Sequence, residues 1–504
     1  MKNKIYIDGE KLTMDQLWLF SNNDDFEFHL DETAKLKVTQ ARNYIESRIQ
    51  TGEVMYGVNT GFGAFSSVRI SEEQIEQLQK NLIRSHSAGI GEAFTKIQSK
   101  AMMILRANAL ARGHSGVRVE VIEKILEFLN SDVIPVIPSQ GSVGASGDLA
   151  PLSHLALALI GEGEVFGGNL KNINPLVLKA KEGLSLINGC QVMTAVGLLA
   201  LYEARQLIKL ADIAGALSIE GLRGSRSPFD PLIAETRPHS GEAKTAKNLL
   251  KLMTLKSEIS ESHATHDHRV QDAYSVRCMP AVHGAVKMAI TYAIQVLETE
   301  ANSSTDNPLV FADAGKILSC GNFHGMPVAH AMDFAGIAMS SLASISHERI
   351  SKFISTQMSE LAPFLAVDGG LNSGLMIVQV ASASLVSENK ILSHPASVDS
   401  MPTSAEKEDH VSMGSIAARK FSQIIKNVTN VIAMEFLAST QALDLILPLK
   451  PNGAVLEVYN LIRKQVPFAN VDRIFSKDIK IINELMRSEE IVKSAEKIAG
   501  VLDV

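Results

Sequence analysis

Residues 191–222 read QVMTAVGLLALYEARQLIKLADIAGALSIEGL, a long run without proline. Apolar side chains recur along it at spacings of three and four, as in Val192, Ala195 and Leu199. This spacing places side chains on one face of an α-helix. A helix of this length is much longer than the average helix of a globular protein. The stretch therefore predicts a mainly α-helical fold built around long helices.

The same periodicity returns in residues 282–302, 329–353 and 421–446. Several long helices are typical of a helical bundle. Many of their faces carry Ala, Gly and Ser and few charged residues, so we expect these helices to be buried on several sides and the chain to form oligomers.

Strand-like stretches are short and few. They are IYID near the start of the chain, EVMYGV at 53–58 and VIPVI at 133–137, and they predict small β-ribbons. We therefore expect a small N-terminal α+β head, residues 1–112, on a long central helical bundle, residues 113–504.

The composition indicates a globular protein that acts on a small molecule. Apolar residues make up 46% of the chain and charged residues 20%, which is enough for a large core. The formal net charge of -7 leaves no broad basic surface for nucleic acid. No apolar stretch reaches the length of about 18 residues that spans a bilayer. We expect a cytoplasmic protein without a membrane partner, in which Cys190, Cys278 and Cys320 are reduced thiols.

A glycine-rich stretch, GSVGASGDLAPL at residues 141–152, precedes a helix-like run. Its glycines are three residues apart and no lysine follows, so it matches neither a dinucleotide-binding loop nor a phosphate-binding loop. Two interpretations remain at this point: an ordinary glycine-rich turn, or a loop whose own backbone undergoes chemistry.

Seven polar, glycine-flanked motifs interrupt the helical background. In chain order they are YGVNTGFG (56–63), NLIRSHSAGIG (81–91), GASGDL (144–149), LINGCQ (186–191), QDAYSVRC (271–278), GNFHGMP (321–327) and EDHVSMG (408–414). With these motifs in this order, the sequence from about Leu12 to Asp478 resembles the histidine and phenylalanine ammonia-lyase family, in particular its histidine branch.

The resemblance explains the glycine-rich loop. It implies that Ala145-Ser146-Gly147 cyclises by itself to the electrophile 4-methylidene-imidazol-5-one (MIO), with no external cofactor and no metal. The Gly147 amide nitrogen attacks the Ala145 carbonyl carbon and two waters leave, the second of which takes the Ser146 hydroxyl. Gly147 has no Cβ to obstruct ring closure. Asp148 is then a candidate partner in the dehydration.

The resemblance also assigns the remaining site residues. Tyr56, Tyr274 and Glu408 are implied catalytic residues, and either Tyr56 or Glu408 takes the β-proton of the substrate. The implied substrate-binding residues are His86, Asn188, Gln271, Arg277 and Phe323. An arginine fork suits a carboxylate better than lysine does. Structural alternatives are a core tyrosine for Tyr56, a surface ion pair for Arg277 and a helix cap for Asn188.

Two residues favour histidine as the substrate. Glu408 stands in a Glu-Asp-His motif where phenylalanine- and tyrosine-specific relatives carry Gln-Asp, and a carboxylate can pair with an imidazole N–H. His86 follows Ser85, a pair that histidine-specific relatives share with some tyrosine-specific ones. The implied reaction converts L-histidine to trans-urocanate and ammonia in a homotetramer whose sites are shared between subunits. The alternatives are a tyrosine or phenylalanine ammonia-lyase, a 2,3-aminomutase and a catalytically silent helical scaffold.

Some residues depart from the family pattern and bear on the shape of the pocket. They are Cys190, Met279, Ala281, Met326, Glu406 and Lys407. A separate cluster, His263, His266 and His268, offers metal-binding side chains, but its spacing shares no helical face and its neighbours are polar. We therefore predict no metal site there.

Overall fold

The computed structural model describes residues 2–65, 67–167, 169–170, 173–265, 267 and 269–504. Within them the chain forms twenty α-helices and six short strands, which confirms the mainly α-helical fold. The chain divides into two compact units, each discontinuous in sequence. The first unit comprises Met1–Tyr202, Ala293–Asp333 and Pro395–Lys420, and the second comprises Glu203–Tyr292, Phe334–His394 and Phe421–Val504. These units are not the two consecutive stretches on either side of residue 112.

Seven helices lie wholly within the first unit. They are α1 (Met14–Asn22), α2 (Glu32–Gln50), α3 (Glu72–His86), α4 (Lys96–Ala111), α5 (Val119–Asn130), α6 (Leu149–Leu159) and α7 (Glu182–Ile187). Helices α3, α6 and α7 pack against one another. Side chains at the helix starts satisfy free backbone N–H groups: Asp31 accepts from two backbone amides of α2, and Thr13 and Gln16 form a capping box on α1.

The four long helices each contribute residues to both units. They are α8 (Gln191–Gly221), α13 (Met279–Ala301), α14 (Met326–Ile354) and α17 (Gly414–Leu445). The remaining helices belong to the second unit: α9 (Pro231–Thr236), α10 (Ser240–Leu252), α11 (Glu258–Ser262), α12 (Tyr274–Arg277), α15 (Thr356–Ser359), α16 (Met376–Leu392), α18 (Gly453–Gln465), α19 (Phe475–Arg487) and α20 (Glu490–Ala499). All four long helices expected from periodicity are therefore present.

Helix α14 meets the length and composition of a membrane span, contrary to the expectation that no apolar stretch is long enough. Its most apolar window is 61% buried within the protein. This burial is typical of a core helix of a globular protein, where neighbouring side chains replace lipid around the apolar surface.

The strands form three two-stranded sheets. Strand β1 (Asn3–Ile7) pairs in parallel with β2 (Phe26–Leu30). Two antiparallel pairs are formed by β3 (Ile90–Ala93) with β4 (Pro138–Gln140) and by β5 (Leu309–Phe311) with β6 (Lys316–Leu318). The strand expected at IYID is confirmed as part of β1.

The other two expected strands are wrong. Residues 53–58 form a turn, because the Asn59 side chain takes the hydrogen bonds of the Met55 amide and the Glu53 carbonyl. Residues 133–137 contribute an isolated bridge, between Pro135 and Val165, and the strand begins after them.

A buried ion pair joins Lys181, which precedes α7, to Asp306, which precedes β5. The Lys181 ammonium donates to Asp306 Oδ2 at 2.7 Å, and both side chains are at most 1% exposed. Ser185 donates to the same oxygen at 2.9 Å, and the Asn307 amide donates to the other oxygen at 2.7 Å. Burial lowers the pKa of Lys181, and the Asp306 charge opposes that shift.

We predict that Asp306→Ala lowers the free energy of unfolding by about 3–5 kcal/mol, because it leaves the Lys181 charge buried without a partner. Glu123→Ala is the matched control. Glu123 pairs with Lys35 at 3.4 Å, with both side chains about half exposed, and its loss should cost about 0–1 kcal/mol. Urea unfolding monitored by circular dichroism measures both. Equal losses in the two variants would contradict the prediction.

Candidate active site

A cavity of about 370 Å³ lies in the first unit. A volume of this size suits a small-molecule ligand. It is lined by Tyr56, Phe62, Gly63, Leu82, His86, Ala145, Ser146, Leu149, Leu184, Asn188, Asn307, Phe323, His324, Ser404, Lys407, Glu408, Asp409 and His410. Seven of the eleven residues that the sequence assigned to the site, Tyr56, His86, Ala145, Ser146, Asn188, Phe323 and Glu408, therefore lie around one cavity.

Gly147 lies directly against Gly189, the residue that precedes α8 by two positions. The Asp148 amide donates to the Gly189 carbonyl at 2.7 Å. Gly147 has φ +70°, and a Cβ built on it would lie 2.2 Å from that carbonyl oxygen. Because neither the conformation nor the space admits a side chain, the sequence Ala145-Ser146-Gly147 is held in a bend that only glycine at its third position can adopt.

The Asp148 carboxylate caps helix α8 from a different segment of the chain. Its Oδ2 accepts from the Met193 amide at 2.9 Å, and its Oδ1 accepts from the hydroxyls of Ser142 and Ser415. The side chain is fully buried. Burial raises the pKa of Asp148, and these hydrogen bonds oppose the shift. The start of α8, where free amides and the helix dipole favour negative charge, thus fixes the loop.

The start of α17 holds the same loop from the other side. The Ser412 hydroxyl donates to the Gly144 carbonyl at 2.8 Å, and the Met413 amide donates to the Val143 carbonyl at 2.8 Å. A Cβ on Gly144 would lie 2.3 Å from Ser412 Oγ. The loop is therefore fixed at both ends by backbone and hydroxyl contacts.

Ser146 is contacted at two of its oxygens. Asn188 Nδ2 donates to the Ser146 carbonyl at 2.8 Å, and the Ser146 hydroxyl donates to Glu408 Oε1 at 2.7 Å. Asn188 directly follows α7 and precedes Gly189. Because Gly189 lies against Gly147, the side-chain amide of Asn188 reaches the loop. The structure therefore places Asn188 as a ligand of the loop and not merely as a helix cap.

Glu408 is held in the cavity by a tight turn. Its Oε2 accepts from the hydroxyls of Thr403, at 2.6 Å, and Ser404, at 2.9 Å. The backbones of Thr403 and Glu408 pair antiparallel across the turn. The carboxylate consequently has one oxygen held by its own turn and the other directed at Ser146.

His86 ends helix α3 and lines the cavity. Its Nδ1 lies 2.9 Å from the Leu82 carbonyl; since a carbonyl only accepts, Nδ1 carries the proton of this hydrogen bond. Burial lowers the pKa of His86, and the Leu82 carbonyl and the Glu408 charge oppose the shift. At neutral pH the ring is therefore neutral, and Nε2 carries a lone pair that can accept a hydrogen bond.

Tyr56 lies in the turn between α2 and α3 and is partly exposed to the cavity. The next residue, Gly57, has φ +68°, and a Cβ there would lie 2.4 Å from the Leu184 side chain. Close approach of this turn to α7 thus brings Tyr56 into the same cavity as Ser146. This location argues against the alternative of a tyrosine buried in the core.

Gln271, Tyr274 and Arg277 lie in the second unit. Tyr274 is 72% exposed, and the Arg277 guanidinium lies over its ring, 4.4 Å from the centroid. Arg277 Nε donates to the Asp272 carbonyl at 3.2 Å. In the part of the chain that the structure describes, none of the three lines the cavity, so the structure does not bring them to the other assigned residues.

Several lining residues were missed from the sequence. Asn307 and His410 carry polar groups into the cavity, and His324 stacks on His410 with parallel rings 5.8 Å apart. His324 and His410 belong to the motifs GNFHGMP and EDHVSMG. Their closeness in sequence to the assigned residues Phe323 and Glu408 could have identified them. Lys407, one of the departures from the family pattern, also lines the cavity. His266 and His268 lie outside the described residues.

A partly buried acid, Glu300, and a buried thiol, Cys190, lie next to Phe323. The Cys190 thiol donates to the Phe323 carbonyl at 3.1 Å and also hydrogen-bonds to Glu300. Burial raises the pKa of Glu300 to about 7, and the nearby Asp148 charge adds to the shift. Burial likewise raises the pKa of Cys190. Cys190 therefore acts as a small hydrogen-bonding group beside Phe323 and not as a reactive thiolate.

Comparison with known proteins gives consistent matches. The family model described as aromatic amino acid lyase matches residues 12–464. A histidine ammonia-lyase of Caldanaerobacter subterraneus subsp. tengcongensis is 47% identical over 97% of this chain and 98% of that protein. The crystal structure of histidine ammonia-lyase from Trypanosoma cruzi superposes with a TM-score of 0.91 at 40% identity, covering 98% of this chain and 95% of that one. A tyrosine aminomutase from Streptomyces globisporus superposes with a TM-score of 0.92 at 34% identity, covering 99% of this chain and all of that one.

We predict that Glu300 makes stability fall as pH rises. Its pKa goes from an ordinary 4.5 to about 7 on folding, so the folded chain holds a proton that the unfolded chain has released. This contribution is complete below about pH 4.5, decreases through the window between the two values and is lost above about pH 7. Its size is on the order of 1–3 kcal/mol.

Glu300→Gln removes this titration while keeping the shape of the side chain. The melting temperature of the wild type, relative to that of the variant, should fall between pH 5 and pH 8. Thermal unfolding at both pH values gives the difference in melting temperature between the two proteins. The effects of the other titrating groups cancel in this difference because both proteins share them. A constant difference would show that Glu300 does not bind its proton on folding.

Proposed function

The chain belongs to the aromatic amino acid lyase family, and on this premise we propose that it eliminates ammonia from L-histidine to form trans-urocanate. The observation that carries the proposal is the position of Glu408: its carboxylate lies in the same cavity as the Ala145-Ser146-Gly147 loop, and one of its oxygens reaches Ser146. Relatives at 45–50% identity over nearly the whole chain carry the name histidine ammonia-lyase.

We infer that the prosthetic group MIO forms from Ala145, Ser146 and Gly147. The residues present fit it: the third position admits only glycine, two of the three residues line the cavity, and a side-chain amide holds the Ser146 carbonyl. When formed, this group supplies an electron-poor carbon that takes up the amine of the substrate and makes nitrogen a better leaving group.

Asn188 prepares the loop for that chemistry. By donating to the Ser146 carbonyl oxygen at 2.8 Å, it draws electron density toward that oxygen and away from the neighbouring atoms of Ser146. Such a donor, fixed before reaction begins, stabilises charge at no cost of rearrangement. Asn188 is itself held in place because Gly189 is pressed against Gly147.

Glu408 and His86 recognise the imidazole ring. A carboxylate accepts from the ring N–H, and when the substrate ring is protonated the neutral His86 accepts from its second N–H through Nε2. A phenyl ring offers no N–H donor, so an apolar substrate would leave these partly buried acceptors without partners, which costs free energy. With Glu408 assigned to the ring, we assign removal of the β-proton to Tyr56, which lines the same cavity.

We propose a homotetramer in which other copies of the chain complete each site. Gln271, Tyr274 and Arg277, which the resemblance places at the substrate, lie in the second unit. That unit also exposes apolar side chains on α13 and α14, including Tyr292 at 47% and Phe334 at 49%. Exposed apolar surface of this kind is typical of protein interfaces. We further propose that the enzyme works in the cytoplasm.

The proposal is tested by offering L-histidine, L-tyrosine and L-phenylalanine separately and following the conjugated acrylate products by ultraviolet absorbance. We expect turnover of histidine to urocanate and little or none of the other two. An aminomutase would instead return a β-amino acid, which chromatography of the products detects. Preference for tyrosine or phenylalanine would overturn the assignment of histidine.

We predict that Glu408→Gln lowers the ratio of kcat/KM for histidine to that for phenylalanine. The variant keeps the size of the side chain but loses its charge, weakening the bond to the ring by roughly 1.5–3 kcal/mol, or about 10- to 100-fold in the ratio. The ratio is measured on a single sample, so it does not depend on the fraction of the enzyme that carries the prosthetic group. Rates that fall together at a constant ratio would remove Glu408 from ring recognition.

A further inference from the structure

We propose that Glu408 also acts before any substrate binds, as the group that delivers a proton to the Ser146 hydroxyl when the prosthetic group forms. This inference rests on the proposed function, since it concerns how Ala145-Ser146-Gly147 becomes an electrophile. It assigns to a residue 262 positions away a step for which the sequence suggested the adjacent Asp148.

The geometry of Ser146 carries the inference. The hydroxyl that must leave is hydrogen-bonded to Glu408 Oε1 at 2.7 Å. The hydrogen that must leave is bonded to Ser146 Cα, and the carbonyl oxygen attached to the same residue accepts from Asn188 Nδ2 at 2.8 Å. The two bonds that break in the dehydration, Cβ–Oγ and Cα–H, therefore each lie beside a fixed polar side chain.

Asp148 is not placed for this step, although it adjoins the loop. Its Oδ1 accepts from Ser142 and Ser415, and its Oδ2 accepts from the Met193 amide. Both oxygens are thus committed to holding the starts of α8 and α17. Among the hydrogen bonds of the described residues, none joins the Asp148 side chain to Ser146. Asp148 is a positioning residue for the loop.

The chemistry balances without an added reagent. In the first step the Gly147 nitrogen bonds to the Ala145 carbonyl carbon, and that oxygen leaves as water with the amide hydrogens of Gly147 and Ser146. In the second step the Ser146 Cα–H bond breaks and its electrons form the Cα=Cβ bond, while the Cβ–Oγ bond breaks.

In this second step the Glu408 carboxylate takes up the proton released from Cα and passes it to the leaving Oγ, which departs as water. Glu408 is therefore a carboxylate both before and after the step. Asn188 assists because electron density from the broken Cα–H bond spreads onto the carbonyl oxygen that it holds. General acid catalysis of this kind requires a donor within hydrogen-bond reach, as Glu408 is.

The same step prepares the site for substrate. Once the Ser146 hydroxyl has left, Glu408 Oε1 has lost its donor, while Thr403 and Ser404 still hold Oε2. One oxygen of the carboxylate is then free to accept from the ring of the substrate. Formation of the electrophile and exposure of the ring-binding oxygen are in this way a single event.

The test is the intact mass of freshly purified protein, followed over days of incubation, with peptide mapping of the segment that contains residues 145–147. Wild type should have lost two waters. Glu408→Gln cannot pass on a carboxyl proton, so it should retain the second water and lose it roughly 100-fold more slowly. Glu406→Gln, the matched control, makes the same change two residues away in the same turn, at a side chain that does not line the cavity, and should lose both waters at the wild-type rate. Ser146→Ala marks the position of a chain that cannot form the group.

Chemical rescue separates proton delivery from a structural role. Glu408→Ala should lose its second water faster, at least tenfold, when formate or acetate is added, since a small acid can occupy the vacated space; an effect on folding alone would not respond. Loss of both waters from Glu408→Gln at the wild-type rate would overturn the inference, as would a block in Asp148→Asn together with normal processing of Glu408→Gln. A wild-type chain that loses no water would instead overturn the proposed function.

Discussion

The contact between Gly147 and Gly189 is the constraint on which the rest of the site depends. Two backbone segments approach so closely that a Cβ on Gly147 would lie 2.2 Å from the Gly189 carbonyl oxygen. Because Gly189 lies two positions before the start of α8, this contact joins the reactive loop to one of the long helices of the core. It also lies beside Asn188, whose side-chain amide donates to the Ser146 carbonyl.

The energy that maintains this contact comes from two helix starts. The buried carboxylate of Asp148 satisfies amides at the start of α8 and accepts from Ser415 in the first turn of α17. Burying a carboxylate is costly unless hydrogen bonds compensate for the lost water, and here backbone amides and hydroxyls do so. The loop is consequently rigid at both ends, with Ser146 presented between them. A rigid support of this kind is what an electrophile needs if it is to meet substrate in one geometry.

The candidate site shows how far sequence reasoning reaches. Tyr56, His86, Asn188, Phe323 and Glu408 were identified from motifs, and the structure brings all five to one cavity with Ala145 and Ser146; their roles stay predictions. Gln271, Tyr274 and Arg277 were identified in the same way, but the described chain leaves them in its second unit. A motif indicates that a residue takes part in the function and does not state which other residues lie beside it. The strand predicted at residues 53–58 is absent for a related reason. This segment has the composition of a strand, but the Asn59 side chain takes the hydrogen bonds of its backbone that a partner strand would otherwise make.

The sequence by itself determined the long helices and the glycine at position 147. Helical periodicity and the absence of a side chain are local properties, and each is readable within one or two turns of chain. Only the tertiary structure decided which carboxylate faces the Ser146 hydroxyl. Asp148, two residues away, points to the starts of two helices, and Glu408, 262 residues away, makes the contact. The physical reason is that side-chain partners across such distances are selected by the packing of whole helices, which no local pattern of residues records.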